Sequence, residues 1–150
     1  MDIVHDLNNL PYPFKSESFD LIIMNHVIEH VINIPNVLVE LNRILKPNGK
    51  IWITTPHYTD VNSYTDCTHI YHLTSQSFNR FTQPSLENIF TQEFCYICLK
   101  SFGRRFGYEN FLNNNCERPE INKRLVKWEK FKSHLFRGDE MRFVLRKNKY

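Results

Sequence analysis

Two apolar segments of strand length, separated by one helical pattern, constrain this chain more than any other feature. Phe19-Asp20-Leu21-Ile22-Ile23-Met24 is an almost continuous apolar run ending in Asn25-His26, as a strand reads when helices cover both faces of a parallel sheet. Asn33 is placed to cap a helix with Pro35 in its first turn, and Ile34, Leu38, Leu41 and Leu45 then recur on one helical face. Lys46-Pro47-Asn48-Gly49 stops that helix, and Lys50-Ile51-Trp52-Ile53-Thr54-Thr55 is β-branched and aromatic up to Pro56. Strand, helix and strand within about forty residues predict a right-handed parallel crossover, hence an α/β fold.

The flanks carry less pattern. Ile3-Val4 reads as a short extended piece leading through His5-Asp6-Leu7 into a turn-rich stretch with Pro11 and Pro13. Residues 57 to 93 are polar and aromatic, with a short helix expected around Ser75 to Phe81, and have the character of a functional insertion. Phe94 to Leu99 reads as a strand, and Ile121 to Phe136 as a helix through Leu125, Trp128 and Leu135. Met141 to Lys147 alternates Met141, Phe143 and Leu145 with Arg142 and Arg146, a strand with one buried face. With 150 residues, 41% of them hydrophobic, the chain is read as one domain, 1–150. Residues 1–56 form its sheet core, and residues 57–150 its substrate-side helices and edge strands.

Composition excludes several function classes. The chain has four glycines, the first at Gly49, so it holds no P-loop and no dinucleotide fingerprint, both of which need glycine where backbone approaches phosphate. No apolar run approaches the roughly 18 residues that span a bilayer, and Asp2 and Asp6 stand where a secretion signal would be basic and then apolar. A cytoplasmic chain with no membrane association is expected. Cys67, Cys95, Cys98 and Cys116 are too few and too irregularly spaced for a disulfide framework. A net charge of +3 selects no partner.

Ligands of open parallel sheets sit at the carboxyl ends of the strands. Asp6, Asn25-His26 and His57-Tyr58 follow the three candidate strands, and parallel pairing brings them to one edge. These residues stand in a longer ordered series: Asp6-Leu7, Pro13-Phe14, Ser18-Phe19-Asp20, His26-Val27-Ile28-Glu29-His30, Leu45-Lys46-Pro47-Asn48-Gly49 and Thr55-Pro56, then Asp66-Cys67-Thr68-His69 with Leu73-Thr74 and Phe78. In order and spacing the series resembles the class I S-adenosylmethionine-dependent methyltransferases of type 11. The resemblance runs over residues 3 to 82, just over half the chain.

The resemblance implies a partial Rossmann-like methyltransferase fold, with a mostly parallel sheet and antiparallel edge strands at the C-terminal end. It implies S-adenosylmethionine as cofactor, with Asp6 accepting a hydrogen bond from the adenine amino group, Leu7 against the ring, and Asn25 and His26 bordering the methionine end. His57, Asp66 and His69 are the implied catalytic candidates, acting on a small-molecule or sugar-type acceptor. The family's glycine-rich turn and the acidic residue ending its second strand have no counterpart before Ile3, so the resemblance implies an N-terminally truncated enzyme. Its Phe19–Met24 strand would then lie at a sheet edge, open to self-association or a partner chain.

Other readings stand beside this one. A non-catalytic interaction module derived from such an enzyme fits the same residues. His26-x-x-Glu29-His30 also matches the inverted zinc-peptidase motif; it sits at a strand end without an obvious third carboxylate, and no metal ligands are assigned. Cys95-x-x-Cys98 falls in a strand, where an offset of three turns the thiols to opposite faces. Lys100 to Phe111 interleaves Arg104 and Arg105 with Phe102, Phe106, Tyr108 and Phe111, followed by Lys123, Arg124, Lys127, Lys130 and Lys132. That composition suits nucleic acid, although a solvated helix face accounts for the lysines equally.

Overall fold

In the computed structural model, described for residues 3–83, 87–99, 126, 127, 129–131, 133 and 138–148, the crossover forms as the sequence predicts. Strand β1 (Phe19–Asn25) is followed by a single 3-10 turn (Ile28–His30) and helix α1 (Ile34–Ile44). Strand β2 (Leu45–Pro56) then pairs parallel with β1, Ile22 facing Ile51 and Met24 facing Ile53. The Asn33 side chain caps α1 by accepting the Asn36 backbone N–H at 3.0 Å, with Pro35 in the first turn. Ile34, Val37, Leu38, Leu41 and Ile44 form the buried face of α1 and join Met24, Ile51 and Ile53 in one core.

Two short helices follow, α2 (Asn62–Thr65) and α3 (Asn79–Thr82), then β3 (Phe90–Leu99) and β4 (Gly138–Lys147). The sheet order is β1-β2-β4-β3. Because β4 pairs antiparallel with both β2 and β3, the other three strands share one direction. The sheet is thus mostly parallel, with β4 the reversed strand. β1 forms one edge, and Leu21, Ile23 and Trp52 stand exposed on the open face of β1 and β2.

The structure refines several boundaries, with β3 beginning at Phe90 and β4 at Gly138, ahead of the expected Phe94 and Met141. Ile3 and Val4 are exposed and lie outside any strand. The expected helix at Ser75–Phe81 is displaced to Asn79–Thr82; residues 75–78 form hydrogen-bonded turns instead, the Ser77 N–H donating to Thr74 O and the Asn79 N–H to Gln76 O, each three residues back. β2 begins directly after α1, bulges over residues 46–49, and resumes its register at Lys50. Asn48 sits there at φ 63°, a left-handed conformation that asparagine tolerates better than most residues.

Gly49 is needed in this bulge for space. A Cβ at this position would lie 2.9 Å from Lys46 O and 3.2 Å from Phe19 O, both backbone atoms. Gly49→Ala is therefore expected to destabilise the fold by about 1–3 kcal/mol through overpacking, read from the urea midpoint at an unchanged slope. A loss below about 0.5 kcal/mol would mean that the bulge gives way freely.

Helix α1 also buries Glu40, which the apolar spacing does not anticipate. Its Oε1 accepts the Tyr12 N–H at 2.7 Å, and it pairs with the Arg43 guanidinium, fastening the 8–18 segment to the helix. The Arg43 hydrogen bond holds the Glu40 carboxyl below the usual carboxylate range despite burial. Burial, with the Glu40 and Asp6 carboxylates adding to it, pushes the Tyr12 hydroxyl up to about 12.

Candidate functional site at the carboxyl edge of the sheet

The tips of β1 and β2 meet the start of β4 at one edge. His26 leaves β1 in the left-handed region, φ 52°, and its N–H donates to Thr54 O at 2.9 Å. A non-glycine residue in that region is uncommon and carries strain that the surroundings must hold. The imidazole is half-exposed, with Nδ1 3.4 Å from Glu29 Oε1 and Nε2 3.2 Å from Glu140 Oε2. It thus spans from β1 to β4 across the end of β2. Asn25, opposite Thr54 in the ladder, is exposed at the same edge.

Asp6 and Leu7 lie in an exposed loop beside the 3-10 turn and α1. Asp6 Oδ1 accepts the backbone and side-chain N–H groups of Asn8 at 2.9 and 3.1 Å. Asn8 in turn accepts the Ile32 N–H at 2.8 Å, and the Tyr12 hydroxyl donates to Leu7 O at 2.9 Å. The loop is therefore anchored on both sides.

His57 turns inward. It is fully buried, and its Nδ1 accepts the Thr59 N–H at 3.2 Å, which places the proton on Nε2, 3.2 Å from Glu129 Oε1. Glu129, also buried, accepts both the backbone N–H and the hydroxyl of Ser75 at 2.7 Å. Burial raises its pKa, but the hydrogen bonds from His57 and Ser75 outweigh that and hold the carboxyl below its ordinary value. Nothing in the sequence marks Glu129 as the partner of a histidine 72 positions away.

Asp66 and His69 lie on the loop after α2, apart from His57. Asp66 Oδ1 accepts the backbone N–H and hydroxyl of Thr68 at 2.8 and 2.6 Å. The Thr68 hydroxyl bond, with the backbone bond and the His69 and His30 rings adding to it, keeps the Asp66 carboxyl below the usual range. The Ile70 and Tyr71 N–H groups donate to Glu29 O at 2.8 and 3.2 Å, zipping this loop onto the 3-10 turn. His69 thereby stacks edge-on against His30, with ring centres 4.7 Å apart.

Of the His26-x-x-Glu29-His30 motif, Glu29 and His30 come together with His69, while His26 reaches Glu140. The motif straddles a strand end and a three-residue turn, so the shared helix face of the zinc-peptidase arrangement does not form. Cys95 is buried in β3, and the side chain of Cys98 lies outside the described residues, as does the basic and aromatic stretch from Lys100 to Arg124. Glu140 was not legible as a site residue, being an ordinary acid ahead of a strand. Among the described residues no helix is long and apolar enough to cross a membrane.

The donor set at the edge suits part of S-adenosylmethionine. Asp6 Oδ1 is engaged by Asn8, Leu7 offers apolar surface, and the Glu29 and Glu140 carboxylates lie beside His26, with Glu140 also taking the Arg142 guanidinium at 2.8 Å. The chain's glycines supply no backbone cradle for the carboxylate end, since none precedes Gly49.

Comparison with known proteins bears on the family and the fold. Residues 2–53 match the type 11 methyltransferase-domain family. The 2-phytyl-1,4-naphtoquinone methyltransferase of Nostoc sp. (strain PCC 7120 / SAG 25.82 / UTEX 2576) is 42% identical over 52 residues, 35% of this chain and 23% of that protein. The match therefore spans under a quarter of the length of that relative. Among solved structures, a proposed methyltransferase of Bacillus halodurans C-125 superposes with a TM-score of 0.62 at 18% identity, covering 97% of this chain and 70% of the other. A SAM-dependent methyltransferase of Archaeoglobus fulgidus gives 0.53 at 20% identity, covering 89% and 62%. Residues 2–53 thus carry the sequence of the class I, type 11-like methyltransferase family, and the described sheet carries the fold of its S-adenosylmethionine-dependent members.

Proposed function

We propose that this chain serves methyl transfer from S-adenosylmethionine to a small-molecule acceptor, with residues 1–150 acting as one domain, 1–56 on the cofactor side and 57–150 on the acceptor side. The observation that carries the reading is the His26 imidazole held between Glu29 and Glu140 where parallel β1 and β2 end. When bound, the cofactor supplies a methyl group already activated on a sulfonium. The protein's share is alignment of the acceptor and removal of its proton.

In this reading Asp6 Oδ2 accepts from the adenine amino group, Leu7 lies against the ring, and Asn25 and His26 border the methionine end. Of the two carboxylates at His26, Glu140 is paired with Arg142, and Glu29 is the one that favours a cation there. On the acceptor side, Nδ1 of His69 is 3.1 Å from Ser63 O and so carries the ring proton, leaving Nε2 to take one from an acceptor group. Asp66 stays ionised beside it. His57, fully buried, shapes the exit of β2 through Glu129. The Nostoc relative is named for a quinone, an acceptor of this small-molecule class.

A second reading, a non-catalytic module that pairs with itself or another chain, is favoured by β1 as an open sheet edge beside exposed Leu21, Ile23 and Trp52. Calorimetric titration separates the two. Saturable S-adenosylmethionine binding that Asp6→Ala weakens about tenfold, the loss of roughly one hydrogen bond, supports the first. Absence of binding together with concentration-dependent association supports the second. Binding unchanged in Asp6→Ala would remove Asp6 from the adenine.

A further inference from the structure

The cluster of Glu29, His30 and His69 is used by neither reading as a unit, and its chemistry is that of a metal site. Each residue offers one ligand atom, and these atoms lie within 4.8 Å of one another. Glu29 is 1% exposed, and neither of its carboxylate oxygens has a hydrogen-bond partner. Its nearest basic neighbour, His26 Nδ1, stands 3.4 Å from Oε1 outside hydrogen-bond geometry. A carboxylate buried without a partner is strongly unfavourable, and a bound cation is one of the few ways to make it stable.

The two histidines are already oriented as ligands are. His69 Nδ1 is 3.1 Å from Ser63 O. His30 Nδ1 is 3.3 Å from Thr68 O and 2.9 Å from Thr68 Oγ1, whose own proton goes to Asp66 Oδ1 at 2.6 Å. Both Nδ1 atoms therefore act as donors, and both Nε2 atoms carry lone pairs. Metal-binding histidines are typically fixed in this way, with the second ring nitrogen donating to a carbonyl or to a carboxylate-linked group. Tetrahedral bonds of about 2.0–2.1 Å need donor atoms roughly 3.3 Å apart. Rotation of the Glu29 and His69 side chains would close that gap in a loop held by the Glu29 backbone carbonyl, Ser63, His30 and Ile32 O.

We propose that Glu29, His30 and His69 bind one divalent transition ion of the zinc class, which pins the 66–71 loop to the 3-10 turn. Two nitrogens and one oxygen are borderline ligands suited to Zn2+ or Co2+, and three protein ligands leave a position open to water or an acceptor oxygen. A bound ion would occupy the ring nitrogen assigned above to the acceptor's proton, so ion binding and that base role alternate at His69. The site does not depend on the methyl-transfer reading.

Titration of the purified chain with Co2+, followed by its visible absorption and by displacement with Zn2+, tests the proposal. One saturable ion per chain is expected, together with a Zn2+-dependent rise in melting temperature. Both His69→Ala, on an exposed loop, and Glu29→Gln, close in shape, should weaken binding at least about tenfold. His26→Ala and His72→Ala should leave it unchanged. The proposal is overturned by absence of saturable binding, by wild-type affinity in His69→Ala, or by loss of binding in His26→Ala.

Discussion

Replacing Glu129 with alanine is expected to lower the stability of the fold by about 3–5 kcal/mol, the usual consequence of removing one partner from a buried charged network. The carboxylate receives the Ser75 N–H, the Ser75 hydroxyl and His57 Nε2, and all three donors would be left in an interior without acceptors. Chemical denaturation measures the loss, and a change below about 1 kcal/mol would show that the site rehydrates.

The same group makes stability depend on pH. Its folded pKa lies below the ordinary 4.5, so the folded state binds fewer protons than the unfolded one as pH falls past that value. Its contribution is complete above about 4.5 and is lost as pH drops through the depressed folded value. Glu129→Gln, which keeps the shape without the charge, should therefore flatten the acid limb of the stability curve. A limb as steep as in the unaltered protein would assign acid sensitivity to Glu40, Asp66 or Glu93, whose pKa values are lowered as well.

Phe143→Ala is expected to cost about 3–5 kcal/mol, as for other large-to-small changes at aromatic core positions. Phe143 is 1% exposed, lies between Ile53 and Cys95 in the ladder, and meets Phe78 edge-to-face at 4.8 Å. It is where the reversed strand, the long connection before α3 and both neighbouring strands come together. Phe131→Ala is the control: with Phe131 64% exposed, a change within about 0.5 kcal/mol is expected. Equal losses in the two variants would contradict the placement of β4.

The part of the fold that was legible lies where local pattern and tertiary role coincide. Phe19–Met24 and Lys50–Thr55 are apolar enough to declare parallel strands, and Asn33 with Pro35 declares the helix between them; the covering of both faces that the apolar run suggested is not met, since Leu21, Ile23 and Trp52 stand exposed. Pattern fails where the deciding partner is distant in sequence. β4 enters between β2 and β3 through pairings such as Lys50 with Arg146, which no periodicity encodes. No periodicity marks Glu29 for burial; the chain makes a single 3-10 turn there and folds the 66–71 loop over it, so the carboxylate is buried. His57 follows a strand exactly as His26 does, yet Glu129 draws one inward while Glu140 holds the other at the surface.

The reversed strand also sets an order on synthesis. Among the described residues β3 has no lateral neighbour except β4, and β4 begins at Gly138. While a ribosome is still making the chain, β1 and β2 can join as soon as they emerge, but β3 must wait with its backbone groups open until β4 has cleared the exit tunnel. Slow translation over the stretch preceding Gly138 would lengthen that wait, and a message broken there would yield a two-stranded remnant with nothing to hold Phe90 to Leu99 in place.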